Sequence, residues 1–352
     1  YVLFDHIVPA NNSTTADLQH ELRKFAVSSG LHFSDSGGGI CHQLMGEGIA
    51  LPGEIIAGAD SHTCTLGAFG AFATGVGATD MAAILASGST WFRIPETIGL
   101  YLTGTLCGSA EAKDLALTYV ARLGMDGGTY HALEFIGDGV PSLSMDSRLT
   151  LCNLSVETGA KTGMFYADNV TREYLLSHGH EILVQDPPES TFSKEYSFDL
   201  GEIEPVIAVP PRVDSARPVD VFAGIPLDQV FVGTCTNGRY EDLSRFAEII
   251  RGKKVKVRTI IGPASRTILL EAARTGLLSD LIAAGCTVLP PGCGPCLGAH
   301  MGVIGEGEVC LSTSNRNFRN RMGVGGEIYL SSVATAAASA LKGEITVPGG
   351  AE

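Results

Sequence analysis

Apolar residues recur along this chain in two alternating rhythms. Short runs that are continuously apolar or alternate with period two, at residues 97–103, 229–232, 255–261, 287–289 and 309–312, read as strands. Between them, apolar positions return every three to four residues at 110–123, 242–251, 265–275 and 332–341, which read as helices. Ser265 stands where a helix N-cap belongs. An earlier amphipathic helix is predicted over 15–28, with Ser13 or Thr14 as its cap. Strand–helix alternation at this spacing argues for an α/β fold with mainly parallel sheets and helices on both faces. In such sheets ligands sit beyond the carboxyl ends of the strands.

The same pattern divides the chain into three segments. Residues 1–93 are dense in Gly, His and Asp. Residues 94–213 open on a strand and close on Pro187, Pro188, Pro205, Pro210 and Pro211, with Pro218 just beyond. Proline confines itself and its predecessor to extended backbone, so this stretch reads as a surface linker. Residues 214–352 alternate most cleanly. Neither an internal repeat nor a low-complexity tract is present. The chain opens at Tyr1, inside a predicted strand over 2–4, and residues upstream of it are expected.

Composition narrows the class. With 45% hydrophobic residues, 18% charged residues and 44 glycines, the chain reads as well packed and rich in tight turns, the reverse of a disordered protein. A formal net charge of −14 argues against phosphate-backbone binding, which calls for a basic face. The densest basic stretch, 251–258, reads as a solvated turn leading into a strand. An anionic small molecule would instead need locally placed arginines. No apolar run reaches the roughly 18–20 residues of a membrane helix; the best, 71–86, is broken by Gly75, Gly77 and Asp80. Nine scattered cysteines, an odd number, read as cytosolic thiols or metal ligands, so a cytoplasmic location is expected.

Two cysteine loops fall where an α/β fold places chemistry. Cys235 follows the 229–232 strand, and Pro291-Gly292-Cys293-Gly294-Pro295-Cys296 follows the 287–289 strand. Three readings fit. Cys-Gly-Pro-Cys is also the dithiol of thioredoxin-like oxidoreductases, although there it opens a helix early in a small domain. A structural zinc would need Cys286 or His300 as a fourth ligand. A [4Fe–4S] cluster held by three cysteines would leave one iron open as a Lewis acid. The cysteines alone leave all three open.

Their neighbours add a resemblance. Gly233-Thr234-Cys235-Thr236-Asn237-Gly238-Arg239 and the 291–298 loop resemble the paired cluster motifs of the aconitase family. Phe4-Asp5-His6, Gly39-Ile40-Cys41-His42-Gln43, Gly58-Ala59-Asp60-Ser61-His62-Thr63-Cys64, Asn153 with Glu157, and the run from Ser314 to Arg321 match in the same order, across essentially the whole chain. Within that family the chain is most similar to the large subunits of 3-isopropylmalate dehydratase and homoaconitase. The resemblance implies three α/β/α domains around a central [4Fe–4S] cluster, divided at residues 93 and 213. It also implies a hydro-lyase that dehydrates and rehydrates a hydroxy di- or tricarboxylate, most simply isopropylmalate on the route to leucine, with homocitrate or a dimethylmalate- or citramalate-type acid as alternatives. A small subunit carrying a fourth domain, the serine base and further arginines is implied as partner, in a heterodimer or heterotetramer.

The same correspondence implies residue roles. Cys235, Cys293 and Cys296 would hold the cluster. His6, kept basic by Asp5, would be the general acid. His42 with Asp60, and His62 with Glu157, would orient water. Arg316 and Arg321 suit substrate carboxylates because a guanidinium matches a carboxylate fork. Ser61, Asn153 and Asn315 would add polar contacts to substrate or cluster, and a helix would put Asn153 and Glu157 on one face.

Blander readings hold for the rest. His20, His32, His131, His178 and His180 lack such context and read as structural. Cys41, Cys64, Cys107, Cys152, Cys286 and Cys310 read as buried small hydrophobes. The Gly37–Gly39 run lacks the Lys-Ser/Thr of a phosphate loop and reads as a flexible approach to His42, and the glycines at 67–77 fail the dinucleotide fingerprint.

Overall fold

The computed structural model describes residues 1–184 and 190–349, so Pro187 and Pro188 of the expected linker lie outside the described residues. The chain packs as two compact units: Tyr1–Leu44 with Ile207–Glu352, and Met45–Val206.

The first unit is built on a seven-stranded sheet. Its strands lie in the order Ala216–Pro218, Val206–Ala208, Glu327–Leu330, Val309–Ser312, Gln229–Gly233, Arg258–Gly262 and Thr287–Val288. The last five run parallel, while Val206–Ala208 pairs antiparallel with Glu327–Leu330. Val230, Phe231, Val232, Ile261, Leu311 and Ile328 are buried, as continuous apolar runs must be when both sheet faces are covered. The helices Tyr240–Ile250, Arg266–Arg274, Leu277–Ala283 and Val333–Lys342 belong to this unit. Ser265 caps its helix by accepting the Ile268 N–H, as its position predicts. The N-terminal helix, Ser13–Ser28, starts earlier than predicted because Asn12, not Ser13 or Thr14, takes the capping bond.

The second unit holds a four-stranded parallel sheet, ordered Thr162–Met164, Ala132–Ile136, Thr97–Thr103 and Lys194–Asp199. A separate parallel pair, Ile55–Gly58 with Phe72–Gly75, flanks a 3₁₀ helix at Ser61–Phe69. Every residue from His62 to Phe69 is buried. That helix sits hard against the Thr162–Met164 strand: a Cβ on Gly67 would lie 1.8 Å from the Gly163 carbonyl oxygen. Arg148 is fully buried on the Met145–Leu154 helix and grips Asp168 with two 2.7 Å hydrogen bonds, its guanidinium 5.3 Å from the Phe165 ring centroid.

Two expectations change here. The division at residues 93 and 213 differs from the packing. Irregular backbone needs hydrogen-bond partners, and these lie far along the chain. The Cys293 N–H donates to the Asp5 carbonyl at 3.0 Å and the Ile40 N–H to the Ala264 carbonyl at 2.8 Å, tying residues 1–44 to the C-terminal sheet. The Phe165 N–H donates to the Gly67 carbonyl at 3.0 Å, tying residues 45–93 to the four-stranded sheet. The proline-rich stretch is also more than a linker, since Val206–Ala208 and Ala216–Pro218 are sheet strands. They sit at one side of the sheet, where prolines are tolerated. Among the described residues no helix is long and apolar enough to cross a membrane.

The Arg148–Asp168 pair sets an acid limb for the second unit. Burial works to raise the Asp168 carboxyl, but the Arg148 hydrogen bonds and charge outweigh it and hold it below the usual carboxylate range. A lowered folded-state pKa adds stability that is fully present above about pH 4 and is lost as pH falls through the folded value. Asp168→Asn is expected to cost about 2–4 kcal/mol at pH 7, toward the low side for a buried pair because Asp168 is partly exposed. Urea melts at pH 7 and pH 3 check this, with the deficit shrinking at the lower pH.

Candidate active site and metal centre

The first unit brings three sequence-distant loops together at the carboxyl ends of its parallel strands. The Gln229–Gly233 strand runs straight into a one-turn helix, Thr234–Asn237, that carries Cys235. Beyond the Thr287–Val288 strand, a 3₁₀ turn at Gly294–Leu297 carries Cys296, with Cys293 as its cap. Beyond Val309–Ser312 the chain continues to Asn315, Arg316 and Arg321. Thr236 Oγ1 donates to the Thr313 carbonyl at 2.7 Å and locks the first loop to the third.

Asn315 joins two of the cysteines. Its Nδ2 donates to Cys235 Sγ at 3.4 Å, and Cys296 Sγ lies 3.7 Å from its Oδ1. All three thiols are buried and unbridged. Burial pushes the Cys293 thiol well above the usual range, and Asp5, Cys235, Cys296 and Cys41 add to the effect. Without a cation Cys293 stays a thiol; a bound metal inverts this, because a coordinating thiol is deprotonated outright. Among the described residues the three sulfurs do not all lie within 4.8 Å of one another, too open for one zinc ion, whereas soft donors on two buried loops suit the larger iron–sulfur group. The residues therefore fit a [4Fe–4S] group. His300, one of the two candidates for a fourth zinc ligand, has its Nε2 2.7 Å from the Pro9 carbonyl. The other, Cys286, is a buried thiol pushed up to about 12.

The Asp5–His6 couple adjoins this set. His6 Nδ1 lies 2.7 Å from Asp5 Oδ1 and 3.9 Å from Cys293 Sγ. Asp5 Oδ2 accepts the Cys41 N–H at 2.9 Å. Burial works to raise the Asp5 carboxyl, but His6 and the Cys41 N–H outweigh it and keep it a carboxylate, below the usual range. Close approach depends on Gly292: a Cβ there would lie 3.0 Å from Val8 Cγ2 and 3.2 Å from the Asp5 carbonyl oxygen. The next residue after His6, Ile7, sits at φ +53, where β-branched residues rarely go. Gln19 Nε2 holds it there by donating to its carbonyl at 3.1 Å.

Arg316 is partly buried and Arg321 follows it on the same loop. The Arg321 Nε–H is buried and has no partner among the described residues. Its backbone abuts the cysteine loop, since a Cβ on Gly298 would lie 2.3 Å from the Arg321 carbonyl oxygen. A buried Nε–H without a partner among the described residues, on a residue whose backbone abuts the cysteine loop, is a donor that an anionic ligand would complete.

The second unit holds a separate group. His62 Nε2 lies 3.0 Å from Glu157 Oε1, both side chains buried, and His62 Nδ1 lies 3.6 Å from Asp60 Oδ1 and 3.4 Å from Ser61 Oγ. Asp60 also caps the Ser61–Phe69 helix by accepting the His62 N–H at 2.8 Å. One imidazole thus stands between two carboxylates. His42, expected to pair with Asp60, belongs to the first unit, where its ring lies 3.5 Å from Cys41 Sγ.

Other expectations are amended. Asn153 and Glu157 do not share a helix: Met145–Leu154 ends before Glu157, which lies on the 3₁₀ turn Ser155–Thr158. Asn153 is fully buried and its Nδ2 donates to Thr65 Oγ1 at 2.8 Å, joining two elements of the second unit. Two cysteines read as buried filler are not: Cys107 is exposed and Cys41 only partly buried. Sequence reasoning gave no role to Arg239, which is 2% exposed and donates to the Cys235 and Thr236 carbonyls. The only sequence signal was its place at the end of the Cys235 motif. Gln19 left no signal, because its partner is a backbone carbonyl.

A model of the aconitase family (aconitate hydratase) matches residues 5–224 and 220–343. The chain is 53% identical to the "Probable methanogen homoaconitase large subunit" of Methanosarcina mazei, over 98% of this chain and 89% of that protein. It is 49% identical to "3-isopropylmalate dehydratase large subunit 1" of Methanopyrus kandleri, over 99% of this chain and 85% of that one. Among solved structures it resembles the holo-form of aconitase X from Thermococcus kodakaraensis, with a TM-score of 0.53 at 14% identity, covering 87% of this chain and 72% of the other. That likeness supports the fold alone.

The placement of Asn153 makes a prediction. Asn153→Ala removes the donor to Thr65 Oγ1, whose own hydrogen stays on the His62 carbonyl, and is expected to cost about 0.5–1.5 kcal/mol of stability. Thermal melts check the loss, and KM of the variant separates this structural contact from the substrate contact expected from the sequence.

Proposed function

Because this chain belongs to the aconitase family, we propose that it serves as the iron–sulfur-bearing large subunit of a cytoplasmic hydro-lyase, which dehydrates a hydroxy di- or tricarboxylate and rehydrates the product in the other sense. One observation carries the reading. Three buried, unbridged thiols, two of them joined through Asn315, meet the Asp5–His6 couple at Cys293. Cys235, Cys293 and Cys296 would hold a [4Fe–4S] cluster. When bound, such a cluster supplies an iron without a protein ligand, a Lewis acid for the substrate hydroxyl and carboxylate.

The chain's own groups do the rest of its share. His6 delivers the proton that turns the departing hydroxyl into water. Asp5 holds Nδ1, so Nε2 is the nitrogen that exchanges the proton, and the carboxylate raises the basicity of the ring. Arg316 and Arg321 hold substrate carboxylates, the latter through its unpartnered Nε–H. His62, fixed by Glu157 and Asp60 beside Ser61, orients water, and His42 has the same role. Asn315 acts on the cysteines more directly than on substrate. The base that removes the carbon-bound proton is assigned to a separate small subunit, in a heterodimer or heterotetramer. The relatives' own description as large subunits supports that partner.

Isopropylmalate is the first substrate reading. A homoaconitase-type substrate is the second, favoured by the 53% relative. Both carry the carboxylates and hydroxyl that Arg316, Arg321 and His6 would meet, and the small subunit would meet the distinguishing side group.

Anaerobic reconstitution is expected to give a brown protein with about four irons per chain; a colourless protein that takes up none overturns the cluster. Cys235→Ser should abolish both iron binding and turnover, whereas a dithiol oxidoreductase acting through Cys293 and Cys296 would keep its activity. With the small subunit added, a panel of isopropylmalate, homocitrate and citramalate should show turnover of at least one acid. Arg321→Lys should raise KM by about 10–100-fold, the worth of one or two charge-assisted hydrogen bonds.

A further inference from the structure

Arg239 is buried at 2% exposure, immediately beyond the one-turn helix that carries Cys235. Its Nη2 donates to the Cys235 carbonyl at 2.5 Å and its Nη1 to the Thr236 carbonyl at 2.6 Å. A helix end leaves its last carbonyls without intrahelical partners and carries partial negative charge. In Thr234–Asn237 a guanidinium fork takes two of these carbonyls at once. We infer that Arg239 is the positioning residue of the cluster site, setting the direction of the Cys235 sulfur by clamping the backbone of its turn; this rests on the cluster reading given above.

Three further observations carry it. The turn has little intrinsic preference for its shape. Thr234 sits at φ +73, in the left-handed region that β-branched residues avoid. Gly233 and Gly238, on either side, are pressed against one carbonyl, that of Gly262, with an added Cβ 2.7 Å from its oxygen in each case. Such a turn needs an outside hold. Second, the hold is anchored in the core. The Arg239 N–H donates to Asp242 Oδ2 at 3.0 Å and Asn237 Nδ2 donates to Asp242 Oδ1 at 2.9 Å. Asp242 stands in the first turn of Tyr240–Ile250, whose Leu243, Phe246, Ala247 and Ile250 are buried. A rigid helix thus reaches the sulfur through one carboxylate and one guanidinium. Third, Arg239 grips the turn through its carbonyls and Asn315 meets it at the sulfur. The peptide and the side chain of one ligand are therefore held independently.

Lysine cannot reproduce this, because a single ammonium on a flexible stem lacks the planar fork. Outer partners of metal ligands typically change metal affinity by about 10–100-fold when removed. The test uses the full chain, reconstituted anaerobically, with iron release to a chelator followed by absorbance well below the melting temperature. Arg239→Gln is expected to release iron at least about tenfold faster than wild type, with Arg239→Lys in between. Leu281→Ala weakens the core of the same unit from the Leu277–Ala283 helix, which does not hold the turn, and should leave the release rate near wild type. The inference is overturned if Arg239→Gln releases iron no faster than Leu281→Ala, or if all three variants behave alike. A wild-type chain that takes up no iron overturns instead the cluster reading on which it rests.

Discussion

A carboxylate buried away from water costs several kcal/mol unless its oxygens find donors. Asp5 is 7% exposed, and the arrangement of the first unit's site follows from how that cost is met. One oxygen meets His6, the other the Cys41 N–H, and the residue's own carbonyl takes the Cys293 N–H. Three chain segments that sequence keeps far apart are thereby fixed around one residue. The couple that would move a proton, the helix that carries His42 and the first of the two loop cysteines all depend on it. Removing this carboxylate would change the imidazole's charge preference and the loop's anchorage together.

The site uses backbone as heavily as side chains. Gly292 and Gly298 admit the close passage of Asp5 and Arg321 past the cysteine loop, and Gln19 restrains Ile7 in an unfavourable conformation next to His6. Strain of this kind persists only where the surroundings over-determine it. In the second unit the same economy appears in Asp60, which caps a helix through the His62 N–H and lies beside that residue's ring. Local folding and imidazole orientation are there one interaction.

Much of this was legible in the sequence, for identifiable reasons. The strand at 97–103 alternates, that at 229–233 carries the apolar run Val230-Phe231-Val232, and the Cys-x-x-Cys loop is local, so all three announce themselves. Glu327–Leu330 did not: it is four residues long, begins with a charge and follows three glycines at 323, 325 and 326. Val206–Ala208 and Ala216–Pro218 were masked by prolines that a sheet edge tolerates and a central strand does not. Within the site, residue identities came from motifs, while attachments needed coordinates. That Asn315 reaches two sulfurs, that Asn153 reaches Thr65 and that Arg239 grips a turn are facts of three-dimensional proximity. The grouping of segments into two units left no mark in the sequence for the same reason, since composition carries no record of where a backbone N–H finds its acceptor.

The first unit is made of two stretches of chain interrupted by the second, Met45–Val206. On the ribosome this imposes an order of events. Asp5 and Cys41 emerge early, but Cys293 follows some 250 residues later, which at about 5–20 residues per second is a delay of about 10–60 s. During that interval the inserted unit has every residue it needs to fold, while the N-terminal strand, helix and Asp5–His6 couple have no sheet to join. Contacts of such sequence separation form late, because the loop must close before they are rewarded. The cysteine set can therefore be completed only after every residue of the inserted unit has emerged, so that unit has time to fold before the site's last loop exists.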